Sequence, residues 1–248
     1  MRTPMKYRVP APLPLKGTGN TRELGGYPGV DGRFTREHTL LRSDSLSRLA
    51  EEDIQFLTEY GVSCVIDLRT EEEVENHPSI FSENNRASYY HVPFSDRLDF
   101  CVPGREPVKS MAGLYIRLLE QQGSSYAEFF RTILNHRGET VIFHCAAGKD
   151  RTGVAAMLLL MTAGVPCSLV IADYGVSESN MKDIFEVIWK ADKDTGKGIP
   201  EFAYASREED MVATMAYLLR KWGSAQEYLK ANNVLQSEID AFKEYFLV

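Results

Sequence analysis

Residues 141–164 read VIFHCAAGKDRTGVAAMLLLMTAG, and few folds can house them. ETVIFH is a short apolar, β-branched run of the kind that forms a buried strand. Five residues then separate Cys145 from Arg151. From Thr152 to Ala163 the pattern is apolar almost all round, which suits a helix packed inside the molecule, and Gly164 with Pro166 ends it. A buried strand feeding straight into a buried helix implies layers of both kinds of structure around one core.

The rest of the chain fits that frame. Pro10, Pro12 and Pro14 make residues 1–15 an extended lead-in, and TGNTRELGGYPGVDG has the polar and glycine content of a loop or short hairpin. After Ser47, LAEEDIQFLTEYG carries acidic residues early and a glycine stop, so it reads as a helix leading into the strand VSCVIDLR. TEEEVENHP is a solvated helix start or loop, and ASYYHVPF is a further strand. One helical stretch, MAGLYIRLLEQQGSSYAEFFRTILNHRG, precedes ETVIFH. Alternation of this kind predicts an α/β fold with a central, mostly parallel sheet flanked by helices. The last third, from SLVIADYGVSESNMKDIFEVIWKADKD through a Gly/Pro break at TGKGIPEF to SEIDAFKEYFLV, is predicted to be helical. Nothing in its composition separates it from the core, so residues 16–248 are expected to form a single domain.

Composition narrows the function classes. The chain has 248 residues, 44% hydrophobic and 25% charged, an ordinary globular balance. Net charge is −7, without a dense Lys/Arg cluster, which argues against nucleic acid as a partner. No run is long enough to span a bilayer, and MRTPMKYRVPAPLPLKG lacks the apolar centre of a leader peptide. Cys64, Cys101, Cys145 and Cys167 form no CxxC pair, and no histidine falls at ligand spacing with them. The expectation is a cytoplasmic protein with reduced cysteines, no metal and no cofactor.

The loop carries the chemistry. A strand ending at His144 and a helix opening near Arg151 would aim successive backbone N–H groups at one point, the arrangement that binds an anion. The same field favours a thiolate at Cys145. Arg151 offers a planar fork for two oxygens of a phosphate. Ala146, Ala147 and Gly148 are small enough to let the backbone approach a ligand, and Gly148 permits a positive φ. Gly-Lys in GKDRT suggests a Walker loop, but Asp150 stands where Ser or Thr is required and the earlier glycine is missing.

HCAAGKDRTG matches HCxxGxxR[ST]G, the signature of cysteine-dependent protein tyrosine phosphatases. With Lys and Asp before the Arg, it resembles bacterial tyrosine/serine phosphatases related to the secreted mycobacterial and Listeria enzymes, which also act on phosphoinositides. NTRELGG (Asn20–Gly26), LLRSDSLSRL (Leu40–Leu49), VIDLRTEEE (Val65–Glu73), ADYGVSESN (Ala172–Asn180) and AQEYLKANNVLQSEID are similar to that family's other blocks, so the likeness runs from about Lys16 onward. It implies a phosphorylated protein or phosphoinositide as substrate, a tyrosine-phosphatase-like fold and export in some relatives. It also implies two-step hydrolysis through a phosphocysteine on Cys145.

In this subfamily Asp150 is the leading general acid. Asp96 in VPFSDRLDF is the alternative, and Asp99 a weaker third choice. Thr152 would donate its hydroxyl to the sulfur, and Ala146, Ala147, Gly148, Lys149, Asp150 and Arg151 would bind the phosphate. Lys149 reads either as a cation for a second phosphate or as a solvated surface lysine. His144 would orient the loop, and Arg42 would line the pocket. Arg22, Arg69, Asp67 and Asp173 are expected to form ion pairs holding the loops. Residues of about 177–205 act either as a helical lid, as in relatives, or as plain core, with Met181, Phe185, Ile188 and Trp189 at helical spacing. Two other readings exist, a phosphate-binding module without turnover and a rhodanese-like sulfurtransferase; His144 and the Thr-Gly after Arg151 argue against the latter.

Overall fold

The computed structural model describes residues 9–94, 108–195 and 200–248. Its centre is a five-stranded sheet of β1 (Arg22–Glu23), β2 (Leu40–Ser43), β3 (Val62–Asp67), β4 (Ser88–His91) and β5 (Thr140–His144), in the order β1-β2-β5-β3-β4. β5 lies between β2 and β3 and is parallel to both, β4 is parallel to β3, and only β1 runs antiparallel, on β2. The fold is the α/β architecture expected.

Side-chain alternation divides the core into two. Val141 and Phe143 of β5 face one side together with Leu40, Cys64 and Ile66. Ile142 faces the other side with Leu41, Val62 and Val65. The first face is covered by α3 (Met111–Gln121), α4 (Gly123–Asn135), α5 (Arg151–Thr162) and the C-terminal helices α6 (Cys167–Thr195), α7 (Glu208–Trp222), α8 (Ala225–Ala231) and α9 (Gln236–Phe246). The second is covered by α1 (Glu51–Tyr60), through Ile54 and Leu57, by Leu15 of the lead-in and by Phe81. The short helix α2 (Glu71–Asn76) follows β3, capped by a Thr70 hydroxyl that accepts from the Glu73 N–H at 3.3 Å.

α5 is buried around nearly its whole circumference, as its sequence demands. Two local readings are corrected. The stretch expected as one helix at MAGLYIRLLEQQGSSYAEFFRTILNHRG is two, because Gln122 leaves helical geometry (φ −111°, ψ 22°). The break brings Gly123 against Asn232 of the α8–α9 turn, where a Cβ would stand 1.7 Å from Oδ1. LLRS, unassigned by its pattern, is the buried strand β2; Arg42 and Ser43 disguise it, and both are inside the molecule. Among the described residues no helix is long and apolar enough to cross a membrane.

Candidate active site

The parallel strands β2, β5 and β3 place Ser43, His144 and Asp67 side by side at their C-terminal ends. In an open α/β sheet this edge is where ligands bind. The chain leaves β5 at His144, turns through residues 145–150 and enters α5 at Arg151.

The loop's shape is set by what holds its carbonyls. That of Cys145 accepts from His144 Nδ1 at 3.1 Å, and that of Ala146 from the Ser45 N–H at 2.9 Å. Asn20 Nδ2 lies 3.1 Å from the Ala147 carbonyl and 3.2 Å from that of Gly148, which also accepts from Arg42 Nη2 at 2.7 Å. A trans peptide points its N–H opposite to its C=O. Carbonyls drawn outward therefore turn the N–H groups of residues 146–149 toward the loop's centre, joined by the first N–H groups of α5. Gly148 is obligatory here: its φ is +65°, and a Cβ would lie 2.5 Å from the Ser43 carbonyl.

Beneath the loop, Asp173 of α6 receives Arg22 Nε at 3.1 Å, Arg42 Nη1, and the Tyr27 hydroxyl at 3.2 Å. Arg22 also holds Asn20 through its carbonyl and side chain. Burial opposes ionisation of Asp173, but the two guanidiniums outweigh it and hold its carboxyl below the usual range. The expected ion pairs are therefore present, with Asp67 on Arg69 as the other one (2.6 Å). Arg42 is fully buried under the loop rather than along its mouth. Two arginines sharing one aspartate leave a positive field beneath the loop. His144 is buried between Cys145 and Asp67, with Nε2 3.5 Å from Oδ2, and burial pushes its pKa down.

Cys145 is 2% exposed and Arg151 3%. The Arg151 guanidinium is held bidentate by Glu73, Nη1 to Oε2 at 2.5 Å and Nη2 to Oε1 at 2.8 Å. Burial alone would raise the Glu73 carboxyl; the Arg151 fork and the Thr70 bonds override it, bringing it down to about 2. The Thr152 hydroxyl is fully buried at the base of α5 and has no hydrogen-bond partner among the described residues.

Lys149 is neither solvated nor facing the loop's centre. It is 1% exposed, with Nζ donating to the carbonyls of Ala203 (2.6 Å) and Ala205 (2.8 Å), 3.2 Å from Asp150 Oδ1 and 5.6 Å from the centre of the Phe185 ring. It thereby joins the loop to the 3-10 turn Glu201–Tyr204 and to α6. Asp150 occupies the N-cap position of α5 without a side-chain cap bond; its Oδ1 accepts from the Tyr115 hydroxyl at 2.6 Å. Asp96 and Asp99 lie outside the described residues.

Glu73, Asn20, Tyr115 and Tyr174 were not singled out by sequence. Glu73 had a signal in the Thr70-x-x-Glu73 capping box, and Asn20 stands in a quoted block. Tyr174 likewise stands in a quoted block, whereas Tyr115 sits among apolar helix residues and had no signal.

Comparison with known proteins gives the chain's family. Residues 13–248 match a profile described as "Tyrosine phosphatase family". A tyrosine-protein phosphatase of Nostoc commune is 30% identical over 219 residues, covering 82% of this chain and 72% of the relative. PtpB of Mycobacterium tuberculosis, designated a triple specificity protein phosphatase, is 25% identical over 94% of this chain and 98% of its own. Among solved structures, TpbA of P. aeruginosa is a remote likeness, with TM-score 0.36, 15% identity, and coverage of 82% of this chain and 91% of that one. On the profile match across nearly all of its length, the chain belongs to the tyrosine phosphatase family and is a phosphatase enzyme.

Proposed function

We propose that the protein hydrolyses phosphomonoesters through a phosphocysteine at Cys145. The observation that carries this reading is the loop itself, in which the carbonyls of residues 145–148 are each bonded outside its centre, so that the N–H groups between Cys145 and Arg151 turn inward. The phosphate's oxygens are bound by the N–H groups of residues 146–151 and by Arg151, whose planar orientation Glu73 maintains. The Cys145 thiolate attacks phosphorus; the S–P bond forms as the P–O bond to the leaving group breaks, and Asp150 gives its proton to the departing oxygen. In the second step Asp150, now a carboxylate, takes a proton from water as the water attacks phosphorus. The S–P bond breaks, and the Thr152 hydroxyl donates to the regenerated thiolate; a buried hydroxyl without a partner among the described residues supports that role.

Phosphotyrosine is the primary substrate class. Phosphoserine/threonine and phosphoinositides belong in the panel because one relative is designated triple specificity and because of the GKDRTG form of the loop. Residues 16–248 act as one domain, and the stretch 177–205 serves as a lid; the bonds from Lys149 to Ala203 and Ala205 support closure of that segment on the loop.

The test is hydrolysis of p-nitrophenyl phosphate, a phosphotyrosine peptide and phosphatidylinositol phosphates by wild type, Cys145→Ser, Asp150→Asn and Asp96→Asn. Cys145→Ser should abolish turnover, and Asp150→Asn, unlike Asp96→Asn, should remove most activity on poor leaving groups. Wild type that binds vanadate but turns over no phosphate would make this a binding module. Sulfur transfer from thiosulfate would make it a sulfurtransferase.

A further inference from the structure

We propose that Tyr115, backed by Tyr174, is the positioning residue that decides which oxygen of Asp150 carries the catalytic proton. This rests on Asp150 being the general acid.

The two hydroxyls are 2.6 Å apart, and that of Tyr115 is 2.6 Å from Asp150 Oδ1. The rings meet edge to face, with centroids 5.8 Å apart. They come from different elements, Tyr115 from α3 and Tyr174 from α6, so the chain of bonds exists only in the packed molecule. Both hydroxyls remain protonated at any working pH: burial, and then the charge of Asp150, push each phenol well above its ordinary value. A carboxylate only accepts, so Tyr115 must spend its proton on Oδ1, and Tyr174 must then donate to the Tyr115 oxygen. The other groups facing this cluster are Lys149 from the loop, which also meets Asp150 at Oδ1 (3.2 Å), and Asp210 from α7, which adds negative charge near Tyr174.

Among the described residues, then, both partners of the carboxyl group, Tyr115 and Lys149, are at Oδ1. Two donors there make Oδ1 a poor place for a proton in either protonation state. The acidic proton resides on Oδ2, and the carboxyl plane is fixed by a short bond to a rigid ring. Catalysis by a positioned acid depends on this kind of constraint, because a freely rotating carboxyl would present the wrong oxygen for part of the time.

The experiment is a leaving-group series. Tyr115→Phe, Tyr174→Phe, Asp150→Asn and the double variant Tyr115→Phe/Asp150→Asn are assayed as full chains on aryl and alkyl phosphates of graded leaving-group acidity, with pH profiles. Tyr115→Phe should lose activity about tenfold on the poorest leaving groups, progressively less as the leaving group becomes more acidic. Its basic pH limb should move up, because a donor to the carboxylate form is gone. Tyr174→Phe should show the same pattern more weakly, and the tyrosine change should add nothing once Asp150 is Asn. Vanadate binding and the thermal midpoint are followed for each variant. If Asp150→Asn steepens the leaving-group dependence while Tyr115→Phe neither steepens it nor moves the pH limb, the tyrosines are core packing and the inference is wrong. If Asp150→Asn leaves the dependence unchanged, Asp150 is not the acid and the inference falls with it.

Discussion

Glu73 shows how a residue with no chemistry of its own governs one that has. It accepts from two of the five N–H groups of the Arg151 guanidinium and so fixes the plane of the fork. Glu73→Gln should keep the fold and lower kcat/KM on aryl phosphates by about 10²-fold, since small misplacements of a clamp cost that much. The same pair has a pH signature. Its carboxyl sits at about 2 in the folded protein against an ordinary 4.5, so the unfolded chain binds more protons between those values. The stabilisation is present above about pH 4.5 and disappears as pH falls through 2, and denaturation curves of wild type and Glu73→Gln should converge toward that limit. Cys145 and Arg151 were singled out because the HCxxGxxR[ST]G spacing names them, and Asp150 because it follows Lys149 in the GKDRTG form of the loop. Glu73 and Tyr115 were not, because each belongs to a local pattern, a helix cap and an apolar helix face, that is complete without any partner across the molecule.

Among the elements, α6, β1 and β2 meet at Asp173, and the loop is fastened to that junction by Arg42 and, through Asn20, by Arg22. Asp173→Ala would leave Arg22 and Arg42 buried without their shared anion. Removing one partner of such a group destabilises by ~3–5 kcal/mol. Chemical denaturation should register that loss, and whatever protein folds should bind vanadate more weakly because the Gly148 carbonyl is no longer anchored. The pairing of Arg22 with Asp173 was foreseeable from their types, but neither the part of Arg42 in it nor the presence of β2 was. A strand whose interior positions are Arg42 and Ser43 looks like a loop until its partners are in place. The division of α3 from α4 was equally hidden, since it depends on Asn232, more than a hundred residues away from Gly123.

The whole molecule places the loop at the end of the central strand, between the two apolar faces of the sheet. Periodicity told of a parallel α/β sheet and a buried α5, because strands and helices of this kind advertise themselves by burial. Strand order was beyond it: that β5 separates β2 from β3 is a matter of pairing, which composition does not encode. Ligand binding should be felt globally. Vanadate at a hundred times its Kd should stabilise wild type by about 2.7 kcal/mol, raising the thermal midpoint, and should leave Arg151→Met unmoved.

The groups that turn the loop inside out come from Asn20, Arg42 and Ser45, about a hundred residues before the peptides they hold. Contacts so distant along the chain are among the last that a folding polypeptide can make. Before the first fifty residues dock beside β5, the segment around Cys145 has only the His144 bond to its own first carbonyl to orient its peptides. The shape of the loop around Cys145 is thus a property of the finished topology, complete only once its distant donors are in place.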